Sequence, residues 1–127
     1  MKTLHQILLL LLAIGLLATS ALAVKGDKDA AEAAWPMIES GALILDVRSP
    51  EEFSKSHIEG AINIPHTDID GLAAALGEDK SRNAVLYCGS GRRAGIAMEN
   101  LAEMGYTNLH NASGLEALQA TQPESTD

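Results

Sequence analysis

The sequence holds one cysteine among 127 residues, Cys88, so no disulfide can form within the chain and the fold must stand on packing alone. Basic residues are scarce too. Nine Lys and Arg stand against seventeen Asp and Glu, a formal charge of −8 that disfavours nucleic acid as a partner. His57, His66 and His110 are scattered and lack ligand spacing with one another or with Cys88, so neither a metal site nor a cofactor is expected. No internal repeat is present. The one long apolar run, from Ile7 to Ala18, is shorter than the roughly 20 residues that a membrane-spanning helix needs.

What is there begins with that run. Met1-Lys2-Thr3 precedes it and Ala21-Leu22-Ala23 follows with small residues at both positions of an A-x-A cleavage site, the pattern of a secretory signal peptide removed after Ala23. Extending the run to Val24 leaves an uncleaved membrane anchor as the alternative. With no cysteine at the junction, a bacterial lipoprotein signal is excluded. Cleavage leaves 104 residues with a formal charge of −9, enough for one small domain, expected to be a monomer. Export places an unpaired thiol in an oxidising space, where it is a liability unless buried or used.

Residues 24–33 are charged and alanine-rich, a loose start expected to turn helical before Trp35. Pro36 suits a first helical position, and Gly41 ends the segment. Residues 42–47 form a short buried strand. Ser49-Pro50-Glu51-Glu52 opens a helix through Ser56 with a serine cap, proline at the first position and a glutamate that closes a capping box. A brief strand at 61–64 stops at Pro65, and a helix over 68–76 ends at Gly77. Residues 84–87 give the next strand. A helix from Gly91 to Met104 is stopped by Gly105, a last strand covers 106–109, and a small turn or helix begins at Ser113-Gly114. The domain spans 34–118, and 119–127 is a polar tail. Strands alternating with helices predict an α/β domain with a mainly parallel sheet and helices on both faces. Trp35 and Phe53 are assigned to the core or its rim.

Ligands in such sheets bind at the carboxyl ends of strands, and Cys88 lies at one. A thiol at a strand-to-helix turn faces unpaired amides and the positive end of the helix dipole, both of which favour thiolate. An ordinary thiol with pKa near 8.5 is only about 3% ionised at pH 7, and a drop of about two pH units makes it roughly three-quarters thiolate. The amides of Gly89, Ser90, Gly91, Arg92 and Arg93, with the two guanidinium groups, can supply such a drop.

Several ordered elements then point to one family: Leu45-Asp46-Val47-Arg48, Ser49-Pro50-Glu51-Glu52-Phe53, the stretch from His57 through Gly60 to Pro65, the loop from Cys88 to Arg93, and Met104-Gly105-Tyr106. Over about residues 35–118 the chain resembles the rhodanese-like sulfurtransferases, and with its signal peptide it looks most like the small periplasmic rhodaneses of the phage-shock type. The resemblance implies a persulfide relay. Cys88 takes the outer sulfur of a donor such as thiosulfate, then passes it to a thiophile such as cyanide or a thiol. It implies that Gly89, Ser90, Gly91, Arg92 and Arg93 hold the persulfide and substrate, with Asp46 and Arg48 making polar links behind the loop. The sequence departs from the family in having Gly89 where a basic residue often follows the cysteine, and Ser113-Gly114 where Gly-Gly is usual.

Competing chemistries fit less well. A phosphatase-type cradle has five residues between cysteine and arginine, and the position this demands is Ala94. The spacing Gly89-x-Gly91-x-x-Ala94 mimics a dinucleotide fingerprint, but its strand is not the first of the domain and the acid expected further on falls near Glu116, at the chain end. His57 is assigned structural hydrogen bonds before Gly60. A persulfide carrier or partner-binding module with little turnover remains the alternative function.

Overall fold

The computed structural model describes residues 23–125. In chain order the elements are α1 (Lys28–Glu39), β1 (Leu43–Asp46), α2 (Pro50–Lys55), β2 (Ile62–Asn63), α3 (Ile69–Leu76), β3 (Ala84–Cys88), α4 (Arg92–Glu103), β4 (Leu109–Gly114) and α5 (Leu115–Thr121). All four strands run parallel in the order β2-β1-β3-β4.

The sheet separates two apolar layers, because successive side chains on a strand point to opposite faces. From β3, Ala84, Leu86 and Cys88 enter one layer with Leu72 and Leu76 of α3 and Ala94, Ala97 and Leu101 of α4. Val85 and Tyr87 enter the other with Ala31, Ala34 and Trp35 of α1 and Ala117 and Leu118 of α5. Helices therefore cover both faces, and all five residues of β3 are buried. The single α/β domain expected from the strand and helix alternation is the one observed.

Local chemistry explains most boundaries. Ser49 Oγ accepts from the Glu52 amide while Glu52 Oε1 accepts from the Ser49 amide, a complete capping box at the start of α2. Asp68 caps α3 through the Gly71 amide.

Four expectations are corrected. The 24–33 segment is helical from Lys28, because Asp27 caps it by accepting from the amides of Asp29 and Ala30. Pro36 consequently lies inside α1, tolerated on an exposed face while Trp35 buries its ring and donates to the Leu118 carbonyl. The last strand is not 106–109 but Leu109–Gly114. Tyr106 instead turns inward and donates to the carbonyls of Ala73 and Gly77, which ties α3 to the loop after α4. The polar tail starts later than 119, since α5 runs to Thr121.

The proposed signal peptide lies outside the described residues, apart from Ala23. Among the described residues no helix is long and apolar enough to cross a membrane.

Candidate active site

Cys88 ends β3, one of the two inner strands of the sheet, and α4 starts four residues later. Gly91 makes the turn possible: its φ of +99° is left-handed, a conformation that side chains resist. The turn aims the Gly91 N–H at Cys88 Sγ, 3.0 Å away. Cys88 has 0% exposed surface, and burial alone pushes its thiol up. The main-chain N–H groups of Ala94, Ser90, Gly91 and Arg93 more than offset that, so the thiol sits below its ordinary pKa. This is a sulfur packed on one side and electrostatically prepared on the other.

The other loop residues divide. Gly89 is half-buried, whereas Ser90 and Arg92 are exposed. Ser90 Oγ accepts from the Arg92 amide at 3.4 Å. Arg93 is held: its Nη1 and Nη2 donate to Glu52 Oε1 and Oε2 at 2.7 and 3.0 Å, a two-pronged pair between α4 and α2. The Arg93 guanidinium brings the Glu52 carboxyl down to about 2, and that carboxylate in turn raises the Arg93 pKa. Of the two arginines, Arg92 is thus the one with its side chain turned to solvent.

Asp46 and Arg48 stand further back. Arg48 Nε and Nη2 donate to the Asp46 carboxylate at 2.7–3.1 Å, and Nη2 also reaches the Ser56 carbonyl at 2.7 Å. Both residues are buried. Burial works against the Arg48 charge, but Asp46 outweighs it and the guanidinium pKa is raised. The pair fixes the end of α2, and α2 carries the Glu52 that grips Arg93. Next to it, Tyr87 Oη accepts from the Ile58 amide at 3.0 Å. His57 Nδ1 meets the Phe53 carbonyl at 2.8 Å while the two rings stack, which is structural work.

Sequence reasoning missed the residues that brace the loop from behind. Asn111 Nδ2 donates to the Gly91 carbonyl at 2.9 Å, and Asn111 Oδ1 accepts from the Ser113 amide at 2.9 Å. Ser113 Oγ donates to the Ser90 carbonyl at 3.3 Å. Gly114 sits so close that a Cβ there would run into the Gly89 carbonyl. The available signal was the polar Asn111-Ala112-Ser113-Gly114 run itself, since polar groups that become buried need partners. Among the described residues, no cluster of His, Cys, Asp or Glu could hold a metal ion.

Comparison with known proteins identifies the fold and the family. The rhodanese-like domain family matches residues 30–120. The thiosulfate sulfurtransferase PspE of Escherichia coli is 44% identical over 72 residues, covering 57% of this chain and 69% of the relative. A putative mitochondrial thiosulfate sulfurtransferase of Schizosaccharomyces pombe is 32% identical over 90 residues, covering 62% of this chain and 63% of the relative. A rhodanese from Escherichia coli solved with anions superposes with a TM-score of 0.56 at 42% identity, over 61% of this chain and 91% of that one.

Proposed function

The chain belongs to the rhodanese-like domain family, and from that premise we propose that it is a thiosulfate sulfurtransferase working through a persulfide on Cys88. The observation that carries this is the loop's main-chain N–H array, which lowers the pKa of the only thiol.

In the first half-reaction the Cys88 thiolate attacks the outer sulfur of thiosulfate. The donor's S–S bond breaks, sulfite departs with the electron pair, and Cys88-S-S⁻ remains. No general base is invoked, because the loop amides favour the thiolate form of Cys88 and sulfite is a competent leaving group. The negative charge moves outward by one sulfur, beside a loop whose Ser90, Gly91, Arg93 and Ala94 amides already act on Cys88; the Gly89 and Arg92 amides expected from the sequence are not among them, and the Arg92 amide donates to Ser90 Oγ instead. In the second half-reaction a thiophilic acceptor, cyanide or a thiol, attacks that outer sulfur and regenerates the thiolate. In this reading the exposed Arg92 is the arginine that meets an arriving anion, and Arg93, tied to Glu52, shapes the loop. Asp46 and Arg48 support it through α2. The reaction needs no metal, cofactor or nucleic acid.

One observation favours a second version of this chemistry. Cys88 has 0% exposed surface, and a shielded persulfide suits a carrier that holds sulfur for a partner protein. A thiosulfate-to-cyanide assay separates them. Rapid thiocyanate formation that Cys88→Ser abolishes supports the enzyme; stable persulfide loading with little turnover supports the carrier; the absence of both refutes each. Export belongs to the same proposal, and intact mass of the purified protein tests it by reporting whether residues 1–23 are gone.

A further inference from the structure

Two cationic nitrogens converge on the outer side of Gly89. Were that residue to carry a side chain, its Cβ would lie 3.2 Å from Lys25 Nζ and 3.4 Å from Arg93 Nη2. Like charges gathered at one point repel, so the arrangement is favourable only where negative charge is supplied. Glu52 supplies it to Arg93. Neither of the two ion pairs among the described residues includes Lys25, and Lys25 is exposed. Its ammonium thus stands beside Gly89 with no carboxylate in ion-pair reach among the described residues.

Lys25 is not placed there by chance of a long side chain. It belongs to a strap, residues 24–27, laid against the end of β4. Gly26 turns with φ +103°, and a Cβ on it would meet Ser113 Oγ and the Gly114 amide. The Asp27 amide donates to Ser113 Oγ at 2.7 Å, and the same hydroxyl donates to the Ser90 carbonyl at 3.3 Å. One hydroxyl thus joins the strap to the sulfur loop. Ser113 holds this post at φ +71°, the only non-glycine residue with positive φ among those described, a conformation with a cost that the two hydrogen bonds offset.

We infer that Lys25 determines donor specificity by receiving the oxyanion end of a doubly charged S-sulfonate donor over Gly89, with Ser113 as the positioning residue that holds the strap against the loop. This rests on the sulfurtransferase reading. Cys88 Sγ bonds to the donor's outer sulfur while the ammonium faces the sulfonate, which leaves as sulfite carrying two negative charges, so the same cation favours departure.

The test compares Lys25→Met, Lys25→Arg and Ser113→Ala with the wild-type protein on thiosulfate and on the singly charged methanethiosulfonate, at low and high salt. Lys25→Met should raise KM for thiosulfate about fivefold, raise it less for the singly charged donor, and flatten the salt dependence. Lys25→Arg should restore all three, and Ser113→Ala should show the same donor split in smaller measure. A Lys25→Met protein identical to wild type on both donors at both salts, or a Lys25→Arg protein as weak as Lys25→Met, overturns the inference. Calorimetric thiosulfate binding in a Cys88→Ser background reads the same contact without turnover. Weaker binding on adding Lys25→Met supports it and equal binding overturns it, whereas intact binding without wild-type turnover counts against the sulfurtransferase reading alone.

Discussion

Glu52→Gln isolates the ion pair that fastens the sulfur loop to α2. Glutamine keeps the capping box, because its side-chain oxygen still accepts from the Ser49 amide. What it loses is the charge facing Arg93. A carboxyl brought from its ordinary 4.5 to about 2 corresponds, at about 1.4 kcal/mol per pH unit, to an upper limit of roughly 3.4 kcal/mol. The Glu52 side chain is 40% exposed and that of Arg93 28%, so solvent screening reduces the expected contribution to about 1 kcal/mol, or about 5 °C in melting temperature. The pH dependence gives the sharper readout. The folded protein binds this proton more weakly than the unfolded chain, so the stabilisation is complete above about pH 4.5 and is lost as pH falls through about 2. Thermal melts of the two proteins from pH 7 to pH 2 should show a gap that closes over that window. A gap that persists unchanged at pH 2, or none at pH 7, refutes the assignment of the pair.

Two further outcomes follow from the site. The rate of Cys88 alkylation by iodoacetamide should reach its plateau at a lower pH in the folded protein than in urea, since the loop amides lower the thiol pKa; a coincident titration in both states contradicts the electrostatic account. Gly114→Ala, forcing a methyl into the Gly89 carbonyl, should cost about 2 kcal/mol in denaturant melts and shift that alkylation profile back toward an ordinary thiol; an unchanged profile would show that the loop does not lean on β4.

How much of this was visible in the chain depends on how local each signal is. The capping box, the strand-to-helix turn after Cys88 and the apolar β3 are written within a few adjacent residues, and all were legible. The braces were not. Asn111 and Ser113 sit in a strand whose composition looks like a loop, and they are held in β4 by partners in the 89–91 turn about twenty residues earlier. Glu52 was read as a cap because its second role, gripping Arg93, spans 41 residues of sequence. Pro36 misled for the converse reason: local propensity argued for a helix start there, while Asp27 and the burial of Ala31, Ala34 and Trp35 set the start a full eight residues earlier.

The parallel sheet has a consequence for the chain before it is folded. Parallel neighbours are joined by crossovers rather than hairpins, so the turn around Cys88 is assembled only once β1, β3 and β4 have come together from distant stretches. A nascent or denatured copy keeps its one sulfur as an unremarkable thiol. Reactivity therefore belongs to the assembled sheet and its loop, which makes nucleophilicity itself a gauge of correct assembly.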